Sequence, residues 1–140
     1  MSKTFDDLLK KLSTCPMKKV SVAAAQDKNV LEAVSSAKEL GIADAILVGD
    51  AEKMKAIAKE EGIDISTFEI IDEPDVEAAC RKAVSLVHDG TADMYMKGVP
   101  DTKTFLKSVL DKEVGLRTGR PLSHVCVFEL EGMNRLLFMT

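Results

Sequence analysis

Cysteine is scarce and unpaired in this sequence. Cys15, Cys80 and Cys126 are odd in number and show no CxxC spacing. That excludes a disulfide-stapled scaffold and leaves three reduced thiols. Histidine is scarcer still: His88 and His124 have no third ligand near them, which argues against a zinc centre. There is no apolar run of about 18 residues, the minimum for a membrane-spanning helix. The N-terminus, MSKTFDDLLKKL, has acids where a signal peptide has an apolar core, and it has no cleavage pattern. The expected location is therefore the cytoplasm. Phosphate-binding signatures are also missing. No GxxxxGK[ST] occurs, and VSVAAAQDKN, where a GxGxxG would follow the first strand, contains no glycine. No GxSxG elbow marks a nucleophile, and Ser123 has no clear activating base.

What is present is ordinary for a globular chain: 46% hydrophobic and 30% charged among 140 residues. A single α/β domain over residues 1–140 is the default at this length, burying about 68–70% of the unfolded surface. KKVSVAAA (18–25) reads as a buried strand, and Asp27 as the cap of a helix through Val30, Leu31, Val34, Ala37 and Leu40, stopped at Gly41. ADAILVG (43–49) is the next strand, followed by a helix capped by Asp50 and closed at Gly62. TFEII (67–71) is a third strand. The turn DEPD then places Pro74 where a helix start tolerates it. The helix of about 75–88 puts Cys80 on its apolar face with Val76, Ala79, Ala83, Val84 and Val87, as a small core hydrophobe. ADMYM (92–96) is a fourth strand, and a helix opens at about Asp101. Strand hydrophobicity is continuous rather than alternating. A parallel sheet with helices on both faces follows, a three-layer α/β/α arrangement. LSHVCVFEL (122–130) and NRLLFMT (134–140), joined through EGM, predict an antiparallel hairpin appended to that sheet. His124 is expected to pack at the start of the first of these strands, although its place after a basic loop also suits an acid–base group.

Charge is unevenly spread. Between residues 97 and 120, Lys97, Lys103, Lys107, Lys112, Arg117 and Arg120 face only Asp101, Asp111 and Glu113, while the whole chain carries −4. This argues against general nucleic-acid affinity and for a local anionic ligand, with chance fluctuation as the alternative. In YMKGVPDTKTFLKSVL (95–110) a strand ends in Lys97 and Gly98 and feeds a helix start. Free backbone N–H groups and the helix dipole at such a place suit an anion. A plain turn is the other reading. In GLRTGRPLSH (115–124), Arg117 and Arg120 each lie beside glycine and suit bidentate phosphate or carboxylate recognition. A solvated loop is equally compatible.

MKGVPDTKTFLKSVLDKEVGLRTGRPLSHVCVFE, followed by RLLFMT, resembles the phosphate acetyl/butyryltransferase family, and its butyryl branch more closely. KKVSVAAAQDKNVLEAV and GIADAILVGD resemble the same family's first βαβ unit. The resemblance implies the first domain of an isocitrate/isopropylmalate dehydrogenase-like fold. It also implies that residues 1–140 are the N-terminal part of a truncated two-domain acyltransferase. LLFM lying directly before Thr140 fits that reading, a complete domain being the alternative. The implied reaction is acyl-CoA plus inorganic phosphate giving acyl phosphate plus CoA, with no metal and no organic cofactor. Members of the family are generally homo-oligomers. The implied substrate-binding residues are Lys97 and Gly98 at the strand end, Thr102 and Lys103 at the helix start, Lys107 further along it, and Arg117 and Arg120 in the loop. The family's serine and aspartate that assist the thiol are expected downstream of Thr140, so this chain alone is expected to be an inactive fragment. Two other functions are compatible with the scaffold. One is a non-catalytic domain that holds CoA or phosphate. The other is a dehydrogenase-like domain for a hydroxyacid and NAD, against which the absence of an aspartate cluster counts.

Overall fold

A computed structural model describes residues 3–140. The helices are α1 (Phe5–Leu12), α2 (Lys28–Glu39), α3 (Ala51–Glu61), α4 (Val76–His88) and α5 (Thr102–Val109). The strands are β1 (Lys18–Ala23), β2 (Ala43–Gly49), β3 (Glu69–Asp72), β4 (Met94–Lys97), β5 (Cys126–Glu129) and β6 (Leu136–Met139). The chain divides into two compact units. Met17–Arg117 forms one, and residues up to Pro16 with Thr118–Thr140 form the other.

In the larger unit the sheet order is β3-β2-β1-β4 and every pairing is parallel. The register aligns Ala23 with Val48 and with Lys97, and Gly49 with Asp72, so the strands finish along one carboxyl edge. Apolar residues are buried on both faces of β1 and β2. Val22, Ala45 and Leu47 pack with Leu31, Val34, Met54 and Ala58 of α2 and α3. Ala23, Ile46 and Val48 pack with Ala79, Cys80, Ala83 and Leu86 of α4. This is the three-layer arrangement that the continuous strand hydrophobicity predicts. The small side chains of Ala79 and Ala83 let α4 approach β1 closely. The buried Ser21 hydroxyl can therefore donate to the Ala83 carbonyl at 2.7 Å.

Helix boundaries follow the capping chemistry. Asp27, Asp50, Asp75 and Asp101 each accept an N–H from the first turn of their helix. Gly62 ends α3 in the left-handed conformation at φ 69°. Pro74 lies one residue before the cap of α4 rather than within its first turn. Cys80 is 1% exposed and burial pushes its thiol pKa up, which fits a core hydrophobe and not a nucleophile.

The smaller unit holds α1 and the hairpin. The Glu129 carboxylate accepts the Phe5 N–H at 2.7 Å. The antiparallel pairing is as expected, but β5 and β6 form a separate two-stranded sheet and do not extend the parallel one. Residues 122–125 also lie outside the strand. Only four pairs form, from Cys126 with Met139 to Glu129 with Leu136, and Leu122 and Val125 stay exposed. His124 is exposed there and does not pack at the strand start. Its ring nitrogens lie 3.6 and 3.8 Å from Cys126 Sγ. The three cysteines are free.

Candidate functional site

The strand order reverses direction once. The chain moves from β1 to β2 to β3, and then returns by α4 to place β4 on the other side of β1. Parallel sheets bind ligands outside the carboxyl ends of the strands at such a switch point. Lys97 and Gly98 end β4 there, beside the end of β1.

The local structure is unusually tight. Ala24, just past β1, has φ 51°, the one positive φ outside glycine among the described residues. An alanine in that region carries strain of about 1–3 kcal/mol, which persists only where neighbours enforce it. The neighbours are the β4 turn. Gly98 N–H donates to the Ala23 carbonyl at 2.9 Å, and Val99 N–H donates to the Ala24 carbonyl at 3.0 Å. A Cβ on Gly98 would overlap both of those carbonyls. Pro100 is buried and leads into Asp101, whose carboxylate accepts the Thr104 N–H and the Thr104 hydroxyl, each at 2.9 Å. On the α4 side, Tyr95 stacks on Phe105 with ring centroids 4.4 Å apart, which fixes α5 against β4.

These bonds change the source of any anion affinity. The Gly98 and Val99 N–H groups are occupied by β1, and the start of α5 is served by its own Asp101. The Thr104 N–H, with the Thr104 hydroxyl, holds that carboxylate below the usual range and therefore charged. The N–H groups of Gly98, Val99 and Thr104 are therefore not free to hold an anion. The side-chain cations remain. Among the described residues Lys97, Lys103, Arg117 and Arg120 form no ion pair, while Lys107 reaches Glu77 at 3.5 Å.

The cations do not gather at one point. Lys97 and Gly98 close β4 at the carboxyl edge, and Thr102 and Lys103 open α5 immediately after it. Lys107 lies a turn further along α5 and lines a cavity of about 370 Å³ between α4 and α5. The charged lining of that cavity is acidic on balance, since Asp75, Glu77 and Asp111 outnumber Arg81 and Lys107. Arg117 follows α5, which runs back from the carboxyl edge. The Gly115 carbonyl, two residues earlier, meets His88 at the far end of α4. Lys97 and Arg117 thus flank α5, an eight-residue helix roughly 12 Å long. Arg120 and His124 belong to the other unit. Arg81 went unnoticed in the sequence. It bonds Asp111 at 2.6 Å and Glu113 at 2.5 Å, and the only signal would have been an arginine on the polar face of α4. Among the described residues no group of three or more His, Cys, Asp or Glu side chains is placed to hold a metal ion, and no helix is long and apolar enough to cross a membrane.

A family described as "Phosphate acetyl/butaryl transferase" matches residues 4–81, more than half of the chain. The chain belongs to that family. Phosphate butyryltransferase of Clostridium acetobutylicum is 57% identical over 140 residues, covering 100% of this chain and 46% of its own length. A phosphate acetyltransferase of Rhizobium meliloti is 36% identical over 119 residues, covering 85% of this chain and 38% of its own. The chain therefore spans about half or less of the length of these relatives. Among solved structures, a branched-chain phosphotransacylase from Enterococcus faecalis superposes with TM-score 0.56 at 27% identity, over 67% of this chain and 33% of its own. A phosphotransacetylase from Staphylococcus aureus reaches TM-score 0.65 over 94% of this chain and 50% of its own. At 18% identity that likeness speaks to the fold alone.

Proposed function

We propose that this chain supplies anion-binding surface for a phosphate acyltransferase that exchanges CoA and inorganic phosphate at a short acyl group, butyryl or similar in size. The observation that carries this is the unpaired pair Lys97 and Lys103 at the switch point of a chain in a transferase family. Both substrates are anionic. Phosphate attacks the thioester carbonyl, negative charge develops on that oxygen, and the CoA thiolate leaves. Fixed cations that hold phosphate beside the thioester lower the barrier by positioning and by offsetting developing charge. Phosphate is the smaller anion and suits the carboxyl edge. CoA carries its nucleotide phosphates far from its thiol, so an extended CoA can engage the edge and also reach Arg117 across the length of α5.

A group to assist the thiol is not apparent at this edge. Asp101 is committed to its cap, and Cys80 is buried. In this reading the chain alone binds substrates without turnover. Isothermal titration tests this. Lys97→Ala and Lys103→Ala should each weaken phosphate binding, and Arg117→Ala should weaken CoA binding, by about 1.5–3 kcal/mol for a lost charge-assisted contact. Butyryl-CoA with phosphate should release no thiol from this chain. Wild-type affinity in all three variants would remove the proposal.

A further inference from the structure

The segment between α5 and Arg117 is polar and glycine-containing, which suggests a loose loop, yet it is fastened at every turn. Asp111 Oδ1 accepts the N–H groups of Glu113 and Val114, at 2.8 and 3.0 Å. Leu116 N–H donates back to the Val109 carbonyl at 2.8 Å. Gly115 is buried, and a Cβ there would press on backbone atoms of Val109 and Asp111. Two side chains then tie this turn to α4. The Arg81 guanidinium forks to Asp111 at 2.6 Å and to Glu113 at 2.5 Å. Seven residues along the same helix, His88 Nδ1 lies 2.9 Å from the Gly115 carbonyl. A carbonyl only accepts, so the imidazole donates here through its Nδ1–H.

Surface ion pairs are ordinarily weak because each holds two mobile side chains in one geometry. Here one planar fork engages two carboxylates of a turn whose backbone is already closed, so little further ordering is needed. The chain beyond Leu116 leaves this clamp at a fixed point, and the next residue is Arg117.

We infer that Arg81 and His88 are positioning residues: they clamp the 111–116 turn to α4 and thereby set where the Arg117 guanidinium meets an anionic substrate. This rests on the reading that Arg117 engages CoA. Arg81 acts through Arg117, because both arms of its guanidinium are directed at carboxylates of the turn.

The test combines amide hydrogen exchange with CoA titration on this chain. In Arg81→Gln, exchange at Glu113, Val114 and Leu116 should rise about tenfold while the amides of β1 and β2 stay protected. Glu113→Gln, which cuts one arm at an exposed residue, should give a smaller rise in the same amides. CoA affinity should fall severalfold in Arg81→Gln and by less in Arg81→Lys, which can still reach one carboxylate. The double variant Arg81→Gln/Arg117→Ala should bind CoA no worse than Arg117→Ala alone, since a positioning residue has nothing left to position. Unchanged exchange in Arg81→Gln, or additive losses in the double variant, would overturn the inference and leave the role of Arg117 standing. If Arg117→Ala alone left CoA affinity unchanged, the underlying reading would fail and the positioning role with it. The exchange result would then describe a purely structural clamp.

Discussion

Gly98 shows what a single residue decides at the carboxyl edge. No left-handed backbone requires glycine there. The demand is space, because any Cβ would meet the carbonyls of Ala23 and Ala24. Those carbonyls accept the N–H groups that tie β4 to β1, so they cannot retreat without breaking both bonds. Gly98→Ala should therefore destabilise the protein by about 1–3 kcal/mol, the range for overpacking a tight site. Urea unfolding reads this directly, and an unchanged midpoint would mean that the turn yields. Ala24 carries the complementary strain. A strained alanine and an obligatory glycine thus face each other across the switch point.

Elements were largely legible, and their limits show why. Asp27 and Asp50 are visible as caps because an aspartate directly before a helical apolar pattern satisfies orphan N–H groups. The hairpin is legible as a pair of strands, but its extent is not. Leu122 and Val125 look like strand residues, yet only four cross-strand pairs form. The residues of the β4–α5 turn were legible as an anion-binding candidate, but which of its donors stay free was not. Sequence shows a glycine beside a helix start, but not that the Ala23 and Ala24 carbonyls already hold the Gly98 and Val99 N–H groups. The caps also set a pH dependence. The Asp50 and Asp101 carboxylates are held below the ordinary value of 3.8, first by the N–H groups of Lys53 and Thr104. A carboxylate with a depressed folded pKa contributes stability above its unfolded value and loses it as pH falls through the folded one. Stability should thus be flat near neutrality and decline on acidification below that ordinary value. The decline should be shallower in Asp50→Asn and Asp101→Asn, as chemical unfolding across an acid series would show. An identical slope in the variants would remove these caps from the account.

At the scale of the molecule, proximity in sequence misled most. Lys97 and Arg117 fall within one basic stretch, but α5 intervenes and carries the chain from one end of the sheet toward the other. The acids counted within that stretch are not all available to offset its cations, because Asp111 and Glu113 are spent on Arg81. That partner lies thirty residues upstream of Asp111, and no local pattern announces it. The family, by contrast, was legible because its signature combines many residues at fixed spacing, and it did not depend on where each charge ends up. In the proposed function an anion sits at the carboxyl edge, held by lysine side chains. Titrating the isotopically labelled chain with inorganic phosphate, and following backbone amide resonances, tests this most directly. The largest shifts should fall within residues 97–103 and vanish in the Lys97→Ala/Lys103→Ala double variant. Shifts confined to the α4–α5 cavity around Glu77 and Lys107, or none at 97–103, would contradict it.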